Sequence, residues 1–107
     1  MDESTYHKLA DAVLEQMAAA LEGADESGAL DVELEGAVLT IALASGKHYL
    51  VSKHAPSQQL WVSSPLSGGL HFSYDKVTDS WFLPNGTNLH ALVSKELAVL
   101  GNIQVVW

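Results

Sequence analysis

The sequence predicts an α+β chain, a two-layer sandwich with an N-terminal and a C-terminal helix packed on one face of a single antiparallel sheet of about six strands. Three observations predict it. Apolar residues recur with a helical period only near the two ends, over residues 4–22 and 89–100. Between them the period falls to two, in short runs broken by Gly, Pro, Asn and Asp. The breaks are too short for βαβ crossovers, so consecutive strands run antiparallel. Two amphipathic helices then share one sheet face and leave the other in water. One domain over residues 1–107 is expected, long enough to bury a core without disulfide or metal staples.

In the first helix Tyr6, Leu9, Ala10, Val13, Met17, Ala20 and Leu21 form the apolar stripe. Ser4 is the expected N-cap, Asp2 and Glu3 suit the positive helix end, and Gly23 is the expected stop. The strands are expected at 31–35, 37–44, 47–53, 58–64, 70–74 and 80–83, with turns at Gly36, Ser45-Gly46, Pro56, Pro65 to Gly69 and Asp75 to Asp79. Asn88 is the candidate cap of the second helix, whose stripe is Leu89, Leu92, Val93, Glu96, Leu97 and Leu100; Gly101 ends it. Ile103 to Trp107 is an extended tail that can pack against the helices. Its shortness predicts partial cover of the groove between them and modest stability.

Strand alternation sorts the side chains. Leu39, Ile41, Leu43, Tyr49, Val51, Leu60, Val62, Phe72 and Tyr74 point to the helices. Trp61 then faces solvent with Gln59, Ser63, Ser52, His54, His71 and Ser73. An exposed Trp in a polar field is a feature of binding surfaces; cover by a loop is the plainer alternative.

Net charge is −8 and uneven: residues 1–35 hold ten acids and one lysine, the remaining 72 residues carry a net +1, and arginine is absent. Such a chain repels phosphate backbones, so nucleic acid is excluded as a natural partner, whereas cations and basic protein surfaces complement it. There is no apolar run of about 18 residues, hence no membrane helix. The opening MDESTYHKLAD lacks the pattern of a signal or transit peptide, so a cytosolic chain, or one relieved of its targeting segment, is expected. Without cysteine there is no thiol nucleophile and no thiolate ligand for an iron–sulfur cluster.

His7 and Asp11 are i, i+4 neighbours on the first helix, with Glu3 one turn before and Glu15 one turn after. Glu22 extends the stripe, and Asp25 and Glu26 carry it into the loop. Carboxylates with a single imidazole suit ferrous iron, manganese or cobalt. A linear stripe offers weak, open, water-filled positions rather than an enclosed site, and spacing alone leaves a solvated helix face as the plainer reading. No Ser–His–Asp arrangement follows from Ser63 and Ser64, and Gly68-Gly69 does not precede a helix as a phosphate loop would.

The stretch Tyr49 to Gly68 contains Lys53, Pro56, Gln59, Leu60, Trp61, Ser63-Ser64-Pro65 and Gly68. It resembles the signature of the frataxin family. The opening Asp2 to Asp11, Gly36 to Ile41, and Leu89 to Leu92 with Glu96-Leu97 are similar to that family's first helix, second strand and second helix. The resemblance implies the same sandwich and a role in iron–sulfur cluster assembly, with Fe2+ or Fe3+ held weakly and other divalent cations able to substitute. It implies an iron ridge of Glu3, His7, Asp11, Glu15, Glu22, Asp25, Glu26, Asp31 and Glu33, and a docking surface of Ser52, Lys53, His54, Gln59, Trp61 and His71. The implied partners are a cysteine desulfurase and its cluster scaffold, with the chain modulating sulfur transfer or iron delivery. A monomer is expected without iron, with iron-dependent oligomers left open, and the bacterial cytoplasm is favoured over the mitochondrial matrix. Ferrous oxidation on the ridge is the alternative activity. Ser52, His54 and His71 stand where the family often has Asn, Gln and, in mitochondrial members, Arg; Ala12, Ala18 and Ala19 fill helix positions that are often acidic.

Overall fold

Helix α1 covers Glu3–Ala24 in the computed structural model, which describes residues 1–24, 28 and 30–107. The helix starts one residue ahead of the expected Ser4 cap, because Asp2 caps it: its Oδ1 accepts the Thr5 N–H at 2.7 Å. Ser4 is therefore helical, and Gly23 lies inside the last turn rather than after it. Tyr6, Ala10, Leu14, Met17, Ala18 and Leu21 are its buried residues. Leu14, absent from the expected stripe, is buried between the turns of Ala10 and Met17; Leu9, Val13 and Ala20 are half-buried at its margins.

Among the described residues six strands follow: β1 Leu30–Glu35, β2 Val38–Leu43, β3 His48–His54, β4 Gln59–Ser64, β5 Gly68–Asp75 and β6 Ser80–Phe82. They form one meander in sequence order, every neighbour antiparallel. β4 begins at Gln59 rather than Gln58, because Gln58 takes a left-handed conformation (φ 53°) at the exit of the single turn Ala55–Ser57. β5 is longer than expected. Gly68 and Gly69, read as breakers, pair with Ser64 and Ser63.

Helix α2 covers Leu89–Gly101, and the Asn88 side chain accepts the Ala91 N–H at 3.0 Å as its cap. The left-handed residue at its end is Asn102 (φ 53°), not Gly101. Asn tolerates that conformation. Gly101 matters for another reason: a Cβ there would sit 2.9 Å from Ile103 Cδ1, so its absence lets the tail fold back on the helix.

One core lies between the helices and the sheet. It holds the expected Leu39, Ile41, Leu43, Tyr49, Val51, Leu60, Val62 and Phe72. Trp81 also belongs to it, while Tyr74 is only partly buried against it. The tail lies along the helices with Ile103, Val105 and Trp107 half-buried, a partial but pinned cover. The Trp107 indole N–H reaches the His90 carbonyl (3.1 Å) and Ser94 Oγ (2.5 Å), and Gln16 Nε2 donates to the Trp107 carbonyl at 2.8 Å. Gln16 Oε1 then accepts from His90 Nε2 at 2.8 Å, and burial holds the His90 ring below the usual imidazole range.

A carboxylate lies deep in the helix–sheet interface. Glu96 is only 5% exposed, and its carboxylate accepts hydrogen bonds from Tyr49 (2.7 Å), Ser64 (2.5 Å) and Ser67. Ser64 Oγ in turn accepts the N–H groups of Leu66 and Ser67 at 3.0 and 2.9 Å. The apolar stripe of α2 thus carries a polar clasp on the Ser64–Ser67 turn. Burial, with Glu96 alongside, pushes the Tyr49 phenol well above its usual range.

Candidate functional site

Two surfaces stand out, and they adjoin at the edge strand β1. The first is acidic. Glu3, Asp11, Glu15 and Glu22 are exposed along the outer side of α1, with His7 half-buried among them. α1 packs on β1, the edge strand. On β1, Leu30, Val32 and Leu34 turn towards the helices, so Asp31, Glu33 and Glu35 turn to the helix-free face of the sheet, paired with Ala42, Thr40 and Val38. Alternation could have added Glu35 to the predicted ridge. Asp25 and Glu26 lie outside the described residues.

Among the described residues no three of these carboxylates and imidazoles converge on one point. The donors are hard oxygens and one borderline nitrogen, displayed in a row to water. That set fits a hydrated hard or borderline cation that keeps most of its water.

The second surface is the helix-free face of the sheet. Ser52, Trp61 and His71 lie directly opposite one another on β3, β4 and β5; His54, Gln59 and Ser73 form the adjacent row. The Trp61 indole, 36% exposed, is sandwiched between two imidazoles. The His54 ring stacks on one side at 3.6 Å and 10°, and His71 on the other at 4.4 Å and 12°. His54 and His71 therefore never meet, and they cannot close on one metal ion with the indole between them. Gln59 fixes the indole edge, accepting from Trp61 Nε1 and donating to Ser73 Oγ, both at 3.2 Å. His54 Nδ1 is 2.7 Å from Ser57 Oγ. Val38 and Leu50 are exposed beside this stack. Their positions opposite Ser52 and Ser63 put them on the same face. The surface is a stacked row of three aromatic rings with a polar and apolar rim, the composition of a protein-docking patch.

Lys53 stands apart from the other residues of the predicted docking set. It has the strand parity of Val51 and Leu60, so it turns to the helix side. There its ammonium is 2.7 Å from Asp11 Oδ1 and 3.2 Å from His7 Nδ1. His7 Nε2 lies 3.8 Å from Glu3 Oε1. One further link joins α1 to the second surface: the Tyr6 hydroxyl, raised in pKa by burial, donates to the Gln59 carbonyl at 2.8 Å.

Fold and surfaces together define a small acidic αβ sandwich that presents a charged edge and a bare, aromatic sheet face. The family model described as a frataxin-like domain matches residues 1–102. The iron–sulfur cluster assembly protein CyaY of Pseudomonas aeruginosa is 40% identical over 81 residues, covering 76% of this chain and 72% of that protein. A frataxin from Psychromonas ingrahamii superposes with a TM-score of 0.87 over 98% of this chain and 96% of its own, at 20% identity, a likeness of fold. A trimeric frataxin of Saccharomyces cerevisiae, complexed with ferrous iron, has a TM-score of 0.76 and 30% identity over 85% of this chain and 83% of its own. The chain belongs to the frataxin-like family.

Proposed function

We propose that this protein is an iron-binding accessory factor of iron–sulfur cluster assembly. It holds ferrous or ferric iron weakly along Glu3, His7, Asp11, Glu15, Glu22, Asp31 and Glu33, and docks through Ser52, His54, Gln59, Trp61 and His71 on a cysteine desulfurase–scaffold complex. The observation that carries the reading is the division of labour between the two surfaces. The acidic side supplies hard donors, and the stacked indole on the bare sheet supplies a rigid anchor. The relatives support it, being an assembly protein in one case and an iron complex in another. Without a thiol of its own, the protein assists a cluster built elsewhere. The reading places it in the bacterial cytoplasm, as a monomer when iron is absent.

Ferrous oxidation is the second reading, since hard oxygen ligands favour the ferric state. A ferroxidase centre draws carboxylates from several helices, whereas α1 sets its own in a row. Regulation therefore ranks above turnover.

The test is a crossover. Asp11→Asn with Glu15→Gln should weaken iron binding while leaving capture by a bacterial desulfurase–scaffold complex intact in the absence of iron. Trp61→Ala should abolish capture and leave iron binding unchanged. Loss of both properties in both variants would sink the two-surface reading.

A further inference from the structure

The middle of the acidic ridge already holds a cation. Lys53 reaches through from β3, its side chain only 15% exposed, and sets its ammonium between Asp11 and His7. A lysine ammonium can only donate, so His7 Nδ1 must accept and the ring proton must sit on Nε2, the nitrogen turned to Glu3. Neither imidazole nitrogen then offers a lone pair to a metal, and one Asp11 oxygen is taken. Glu3 and Glu15, a turn to either side, remain exposed.

We infer that Lys53 is an internal counter-cation that sets the affinity of the ridge: an incoming iron must displace its ammonium before His7 and Asp11 can both ligate. This rests on the ridge being the iron site, and it deepens that reading by naming the residue that controls it. The arrangement also gives a physical path between the two surfaces. Lys53 sits in β3 between Ser52, which lies opposite Trp61, and His54, which stacks on it. Withdrawal of the ammonium from α1 is felt in the strand that builds the docking face.

Removing a unit positive charge from about 6 Å of a divalent ion, in a nearly aqueous dielectric, tightens its binding roughly tenfold. The experiment uses Mn2+ alone as the probe and follows paramagnetic broadening of the His7 and Asp11 amides in wild type, Lys53→Met and Lys53→Arg. Lys53→Met keeps the buried stem, and superposition of its remaining amide spectrum checks the fold. The expected result is a midpoint roughly tenfold lower in Lys53→Met and close to wild type in Lys53→Arg. In wild type the amides of Lys53 and His54 should respond at the same midpoint as Asp11. Equal or weaker binding by a folded Lys53→Met overturns the inference while leaving the iron ridge standing. Absence of ridge broadening in all three proteins overturns the ridge itself, and this inference with it.

Discussion

Glu96 provides the most quantitative test of the packing. Tyr49 is fully buried and Ser64 nearly so, and each donates its hydroxyl hydrogen to this carboxylate. Glu96→Ala leaves both donors without acceptors, each worth about 1–2 kcal/mol, while the exposed Ser67 turns to water at little cost. The loss of the packed side-chain stem adds ~1 kcal/mol, for a total of ~3–5 kcal/mol. At roughly 4 °C per kcal/mol for a domain of this size, Tm should fall by ~12–20 °C. Tyr49→Phe alone should cost about 1.5 kcal/mol. The double variant should be less destabilised than the sum by ~1 kcal/mol, because no orphaned phenol remains to be penalised. Urea unfolding followed by tryptophan fluorescence reads all three. A cost below ~1 kcal/mol for Glu96→Ala, or strict additivity with Tyr49→Phe, would refute the clasp.

Other predictions concern the tail, the pH dependence and the sheet face. Deleting residues 103–107 removes the half-buried Trp107 and its bonds to His90, Ser94 and Gln16, and should cost about 2 kcal/mol or more in a urea titration. Because the fold depresses the His90 pKa, the unfolded chain binds more protons there. Its contribution is therefore complete above the unfolded value of about 6.5 and is lost as pH falls below it. The drop in Tm between about pH 7.5 and 5.5 should accordingly shrink in His90→Gln. Trp61→Ala should leave the amide spectrum of α1 unchanged while altering the ring resonances of His54 and His71, which lose their shared stacking partner.

Much of this architecture was legible because alternation and helical period act locally. The core faces of β2, β3 and β4 follow directly from Leu39, Ile41, Tyr49, Val51, Leu60 and Val62, and Asn88 announced its cap. The places where reading failed have physical reasons. Ser4 and Asp2 are both good caps, and only the Thr5 N–H geometry chooses between them. Gly68 and Gly69 look like breakers but are held in the ladder by β4. Glu96 on an apolar stripe gave no hint of its three hydroxyl donors, since Tyr49, Ser64 and Ser67 lie 29 to 47 residues away. For the candidate site, parity put Trp61, His54 and His71 on one face but could not show that the indole would lie between the imidazoles. The same parity, applied to Lys53, would have turned it towards α1; its neighbours in the docking motif concealed that.

The separation of iron ridge from docking face is most directly tested by an anaerobic ferrous titration followed by two-dimensional amide NMR. The account predicts that broadening begins at His7, Asp11 and Glu15, extends to Asp31 and Glu33, and spares Trp61 and His71. Broadening that begins at Trp61 or His71 and reaches Asp11 only later, or no response anywhere at millimolar iron, would contradict it. The acidic side would then be better understood as a docking surface for a basic partner.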